Sequence, residues 1–131
     1  MRKNYAEDGV QKAIVKYLRM KGFLVTSPAG GLIKSQITQR VANANGYLAG
    51  CSDLIVFIPY GCLHIEVKRP KTLKYSFKTG RMVVNSAAGR QSNTQKEFQE
   101  RVSKISGHFY LVVTDVQQVA DFISSMNINP Y

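Results

Sequence analysis

The stretch Asp53-Leu-Ile-Val-Phe-Ile-Pro-Tyr-Gly-Cys-Leu-His-Ile-Glu-Val-Lys-Arg-Pro70 decides how the chain reads. From Asp53 to Pro59 it is apolar and β-branched, Tyr60-Gly61 can supply a tight turn, and Cys62 to Lys68 alternates apolar with polar. That is the pattern of a β-hairpin. With Tyr60 and Gly61 as the turn, Asp53 faces Lys68 across the ladder and Ile55 faces Glu66. Side chains two apart on a strand share a face, so Asp53, Glu66 and Lys68 project from one side of the sheet.

These acids are conspicuous in their surroundings. From Gly9 through Lys96 the chain carries fourteen Lys or Arg residues and only two acids, Asp53 and Glu66. Two carboxylates on one face repel, and burial raises their pKa values, unless a cation sits between them. Carboxylate oxygens with waters and a backbone carbonyl suit Mg²⁺ or Mn²⁺. Such an ion polarises a phosphoryl oxygen and acidifies a bound water, while Lys68 orients the nucleophile or stabilises negative charge in the transition state. The chemistry implied is phosphodiester hydrolysis. The simpler alternative is an Asp53–Lys68 salt bridge with Glu66 at an exposed edge.

The rest of the chain sets bounds on both readings. Its 131 residues, 44% of them hydrophobic, suffice for a single domain spanning 1–131. The net charge of +10, from 18 Lys and Arg against 8 Asp and Glu, favours a polyanionic partner such as nucleic acid or an anionic membrane. No apolar run approaches the roughly 20 residues that span a bilayer. Met1 to Gly9 contains no apolar signal core, so the expectation is a cytoplasmic chain with no membrane partner. Cys51 and Cys62 lack zinc-type spacing and read as reduced, partly buried thiols.

Two helices flank the hairpin. Val10, Ile14, Tyr17, Leu18 and Lys21 recur at helical spacing before Gly22, predicting a helix over residues 5 to 21. Glu7 extends that stripe and can point towards the sheet, or it can close a capping box with Asn4. A second helix runs from about Asn93 to Ile105 with Phe98, Val102 and Ile105 as its buried stripe. Gln95 likewise fits a capping box with Ser92, or uses its amide to hold a water, a phosphate or the neighbourhood of the lysine. Phe23 to Thr26 and Phe109 to Val113 read as strands, and Val116 to Met126 as a closing helix capped by Thr114 or Asp115. The order αβββαβα gives an α/β fold, a mixed sheet with helices on its faces. His64 shares the Glu66 face and reads as a packed or solvent-tipped strand residue outside the site.

Taken in order, Glu7 with Val10-Gln11, Gly46-x-x-x-Gly50-x-x-Asp53-Leu54, Glu66-Val67-Lys68-Arg69-Pro70 and Gln95-x-x-Phe98 resemble the virus-type replication-repair nuclease (VRR-NUC) family of the PD-(D/E)xK superfamily. The resemblance covers most of the chain. It implies a restriction-endonuclease-like fold and metal-dependent cleavage of DNA, with Asp53, Glu66 and the Val67 carbonyl on the metal. Glu7 would complete the acidic cluster, Lys68 would assist the attacking water, and Gln95 would orient the lysine or a phosphate. Similar standalone members look like homodimers acting on branched DNA, including four-way (Holliday) junctions. This chain departs from the pattern with Ser52 where the superfamily name records proline, and with a long segment between Pro70 and Gln95.

That segment contains no acid between Glu66 and Glu97, while Arg69, Lys71, Lys74, Lys78, Arg81 and Arg90 accumulate. Tyr75 to Phe77 and Met82 to Val84 around Lys78-Thr-Gly-Arg81 predict a second hairpin or flap at about 70–92, meeting DNA phosphates or forming a dimer interface. Gly30 to Ser35 lacks the phosphate-loop pattern, which removes the case for a nucleotide cofactor. With Lys34 and Arg40 it reads as a mobile loop over the DNA groove.

Overall fold

The structure, a computed structural model, describes residues 5–28, 40–41 and 43–130. Helix α1 spans Tyr5–Met20 and is followed by β1 (Leu24–Thr26), β2 (Leu54–Ile58) and β3 (Gly61–Val67). A hairpin of β4 (Thr72–Ser76) and β5 (Arg81–Ser86) precedes α2 (Asn93–Ser103), β6 (His108–Val113) and α3 (Val116–Ser125). The αβββαβα order therefore holds, with the basic hairpin inserted between β3 and α2. No helix among the described residues is long and apolar enough to cross a membrane.

The main sheet has the order β1-β2-β3-β6. β1, β2 and β3 run antiparallel to their neighbours, whereas β3 and β6 are parallel. A parallel pair needs a long crossover, and the hairpin with α2 supplies it. One sheet face carries Leu54, Val56, Ile58, Leu63, Ile65, Val67 and Val113, which pack with Ile14 and Leu18 of α1 and Val119 and Ile123 of α3 into one core. At roughly 1.5–3 kcal/mol per fully buried side chain, this face is the main source of stability. Helix α2 packs against β6 on the opposite face, where Phe98 meets His64 and Tyr110. Val102 of the expected α2 stripe is buried, but Ile105 lies beyond the helix end and is 52% exposed.

The β2–β3 turn is Pro59-Tyr60, not Tyr60-Gly61, because Ile58 pairs with Gly61 and Ile55 with His64. Proline pre-sets the first turn position, and exposed Tyr60 takes the positive φ of 66°. Gly61 is needed elsewhere. A Cβ on it would lie 1.8 Å from the Gly107 carbonyl oxygen, so only glycine lets β3 start against the entry to β6. The register thus moves by two positions, which places Asp53 opposite Glu66 instead of Lys68. A shift of two preserves the faces.

Candidate active site

β3 reads in sequence as a strand with one wet face, because Cys62, His64, Glu66 and Lys68 alternate with Leu63, Ile65 and Val67. In the fold both faces are covered: His64 is 5%, Glu66 0% and Lys68 9% exposed. The polar face lies beneath α2 and the loop entering β2. The Asp53–Lys68 salt bridge of the alternative reading does not form, since Lys68 pairs with Glu66. Asp53 Oδ2 instead accepts the Val67 backbone N–H at 2.7 Å, which fixes the carboxylate against the end of β3 beside Glu66.

Glu66 has unequal oxygens. Its Oε1 accepts the Tyr110 hydroxyl at 2.6 Å and the Gln91 amide at 3.4 Å. Its Oε2 is buried and accepts no hydrogen bond among the described residues, and Lys68 Nζ stands 3.9 Å away. A buried carboxylate oxygen that has only a loose ion pair and no hydrogen bond is costly, and it has room for a further polar partner. Lys68 Nζ donates to Gln95 Oε1 at 2.8 Å, and the same Oε1 accepts the Ser92 backbone N–H at 2.8 Å. Gln95 therefore performs both of the jobs the sequence offered it: it completes the α2 capping box with Ser92 and holds the lysine.

Electrostatics tie the acids together. Burial raises the Asp53 carboxyl above the usual carboxylate range, opposed by the Val67 N–H, reinforced by the charge of Glu66, opposed by Lys68 and reinforced by Glu7. Glu7, in the first turn of α1, is thereby brought into electrostatic range of Asp53. Its expected partner in a capping box, Asn4, lies outside the described residues. Among the described residues no three His, Cys, Asp or Glu side chains converge into a ligand group. A divalent ion held here would rest on the Asp53 and Glu66 carboxylates and the Val67 carbonyl, with waters and Glu7 beyond. Glu66 Oε2 without a hydrogen bond and the raised Asp53 pKa fit a site that a cation would neutralise further.

The loop into β2 and the foot of the second hairpin frame the site. Gly50, at φ +82°, passes so close to the start of α2 that a Cβ would lie 2.4 Å from the Thr94 oxygen. Gly50 thus lets the loop that carries Asp53 pass against the start of α2. On the other side, Gly89 N–H donates to the Arg69 carbonyl at 2.9 Å and Arg69 Nη2 donates to the Ala87 carbonyl at 2.9 Å. These two bonds clamp both ends of the hairpin beside Lys68. Arg69 is half-buried, and Arg40, Lys71, Lys74, Lys78, Arg81 and Arg90 are exposed. Lys34 and the loop over 30–35 lie outside the described residues.

Sequence reasoning missed four supporting groups. Tyr110 and Gln91 hold Glu66, and Ser52 and His108 flank His64, which the sequence read as a packed or solvent-tipped strand residue. His64 Nδ1 lies 3.3 Å from Ser52 Oγ, and His64 Nε2 lies 2.9 Å from His108 Nδ1. Burial and the neighbouring His108 lower the His64 pKa to about 4, so its ring is neutral at physiological pH. The one available signal was the pair of polar residues two apart on β6, His108 and Tyr110, which lie opposite Cys62 and His64 and reach diagonally to His64 and Glu66. Cys51 and Cys62 are free and partly buried, as expected.

No protein-family model matches the chain, and no curated protein matches it. Among solved structures, one described as a VRR_NUC domain protein matches with a TM-score of 0.62 and 22% identity, over 98% of this chain and 94% of that one. The likeness runs through the whole described architecture, and the chain accordingly has a VRR-NUC-like fold of the restriction-endonuclease kind, a mixed sheet flanked by helices.

Proposed function

We propose that the chain is a Mg²⁺- or Mn²⁺-dependent DNA endonuclease that hydrolyses phosphodiester bonds, acts on branched DNA such as four-way junctions, and works as a homodimer. The observation that carries this reading is the buried Glu66, whose Oε2 accepts no hydrogen bond among the described residues while Asp53 is held at its side and Lys68 is held 3.9 Å away. The 3.9 Å ion pair with Lys68 is a loose one and gives Glu66 Oε2 no hydrogen bond. Here the lysine is drawn to Gln95 instead.

A bound divalent ion would polarise the scissile phosphate and lower the pKa of a water. The chain's own residues do the rest. Tyr110 and the Val67 N–H fix the two carboxylates, and Gln95 aims the Lys68 ammonium at the space beside Glu66. There Lys68 orients the attacking water and stabilises the charge that develops on the phosphoryl oxygens. Burial under α2 limits bulk water around these groups, which strengthens each interaction. Branched DNA suits a dimer because each protomer would supply one site for paired nicks.

The test is cleavage of duplex, flap, single-stranded and four-way-junction DNA with Mg²⁺ or Mn²⁺, using wild type, Asp53→Asn and Lys68→Ala. Nicking by the wild type is expected, with activity at least a hundred-fold lower in both variants and DNA affinity retained. A pure, folded wild type that binds these DNAs and cuts none of them with either ion would leave a non-catalytic DNA-binding protein as the better account. Molecular mass in solution, with and without junction DNA, reads the oligomeric state.

A further inference from the structure

The β4–β5 hairpin stands apart from the body of the protein. Among the described elements its strands contact only each other. An isolated two-stranded hairpin is at best marginally stable in water, so its side chains need an outside partner or a purpose. Register sorts them into two faces. Leu73 pairs with Val84 and Tyr75 with Met82, so these four share one face, and Phe77 joins them by an edge-on contact with Tyr75 at 5.1 Å. Lys74 pairs with Val83 and Ser76 with Arg81 on the other face.

The apolar face is open, and most open at the tip: Leu73 is 51%, Tyr75 52%, Met82 58% and Phe77 94% exposed. Phosphate binding explains Lys74, Lys78 and Arg81 but not an aromatic pair at the end of a basic arm. A second copy laid face to face would cover the middle of the face in preference to the tip, and it would leave Lys74 and Arg81, on the other face, without a partner. Exposed aromatic rings on an arm whose other face and turn carry cations match a nucleic acid whose bases are unstacked, since every base presents a π-face and every linkage a negative charge.

We propose that Tyr75 and Phe77 form a stacking wedge that recognises unpaired bases at a DNA branch point, while Lys74, Lys78 and Arg81 hold the adjoining phosphates. The wedge deepens the proposed nuclease reading, on which it rests for the identity of the partner. Five residues of strand separate the foot beside Lys68 from the tip, and at about 3.3 Å per residue the tip lies about 17 Å out. That distance corresponds to about five nucleotide steps at 3.4 Å each. The arm would therefore set where the branch sits relative to the scissile bond.

The experiment measures binding without divalent metal, so it stands whether or not the protein cuts. A four-way junction with 2-aminopurine at the crossover and a linear duplex of the same sequence are titrated with wild type, Phe77→Ala, Phe77→Trp and Lys78→Ala. Wild type is expected to prefer the junction and to change the 2-aminopurine fluorescence. Phe77→Ala should lower the junction-to-duplex affinity ratio about ten-fold and abolish the fluorescence change, Phe77→Trp should restore both, and Lys78→Ala should weaken both DNAs while keeping the ratio. An unchanged ratio in Phe77→Ala overturns the wedge, as does a wild type with no junction preference. A loss of dimer mass in Phe77→Ala would also overturn it and assign the face to a second copy. Cleavage that persists with an intact preference in Phe77→Ala defeats the wedge alone; a preference that responds as expected in a protein that never cuts defeats the nuclease reading alone.

Discussion

Glu66 shows how much depends on a single hydroxyl. Tyr110 donates to Oε1 at 2.6 Å, and burial together with the Glu66 charge raises the phenol pKa, so the donor stays protonated across the working range. With Oε1 occupied, Oε2 is the oxygen left for a cation. Tyr110→Phe removes the donor with little change in volume and leaves Gln91, at 3.4 Å, as the remaining hydrogen bond to Oε1. Outer partners of metal ligands are worth about 10–100-fold in affinity or activity. The expected result is a roughly ten-fold rise in the Mg²⁺ concentration for half-maximal cleavage, with maximal rate less affected. A uniform fall in rate at every Mg²⁺ concentration would assign Tyr110 a merely structural role.

At the scale of elements, α2 turns an alternating strand into an interior one. Phe98 meets the His64 ring edge-on at 5.7 Å, and His64 in turn bonds to His108 from β6. Burial and the neighbouring His108 disfavour the charged form of this imidazole in the fold. Because the folded pKa is depressed to about 4 from an unfolded 6.5, the unfolded chain binds a proton between these values that the folded chain refuses. Stability contributed by neutral His64 is complete above about pH 6.5 and is lost as pH falls through that window, on the order of 2–3 kcal/mol in all. Urea denaturation of the metal-free protein at pH 7, 5.5 and 4.5 should show this loss. His64→Gln should flatten the profile; parallel profiles for both proteins would disprove the assignment.

For the whole molecule the decisive quantity is where the charge lies. A net +10 spread evenly would bind DNA weakly and anywhere, whereas here Arg69, Lys71, Lys74, Lys78, Arg81 and Arg90 lie on and around one arm beside the acidic site. If five to eight of the basic residues meet phosphates, log K should fall against log salt with a slope of about −5 to −7 on duplex DNA. Replacing Lys74, Lys78 and Arg81 by alanine should reduce that slope by about three. A slope unaltered in the triple variant would place the DNA elsewhere on the surface.

The sequence by itself determined the order of elements, the apolar core face and the grouping of Asp53, Glu66 and Lys68 on one side of the sheet, because these depend on local periodicity and caps. A two-position error in the β2–β3 register did no harm to the faces, since side chains on a strand repeat every second residue. Only the tertiary structure decided that the polar face of β3 is interior, that Asp53 bonds to Val67 instead of Lys68, and that Tyr110 and Gln91 hold Glu66. Each of these rests on contacts between residues far apart in the chain: β6 and α2 return to the hairpin after a long insertion, and no local pattern records which face they cover. Gln95 belongs to both levels, because its capping bond to Ser92 is local and legible while its bond to Lys68 exists only once α2 is docked.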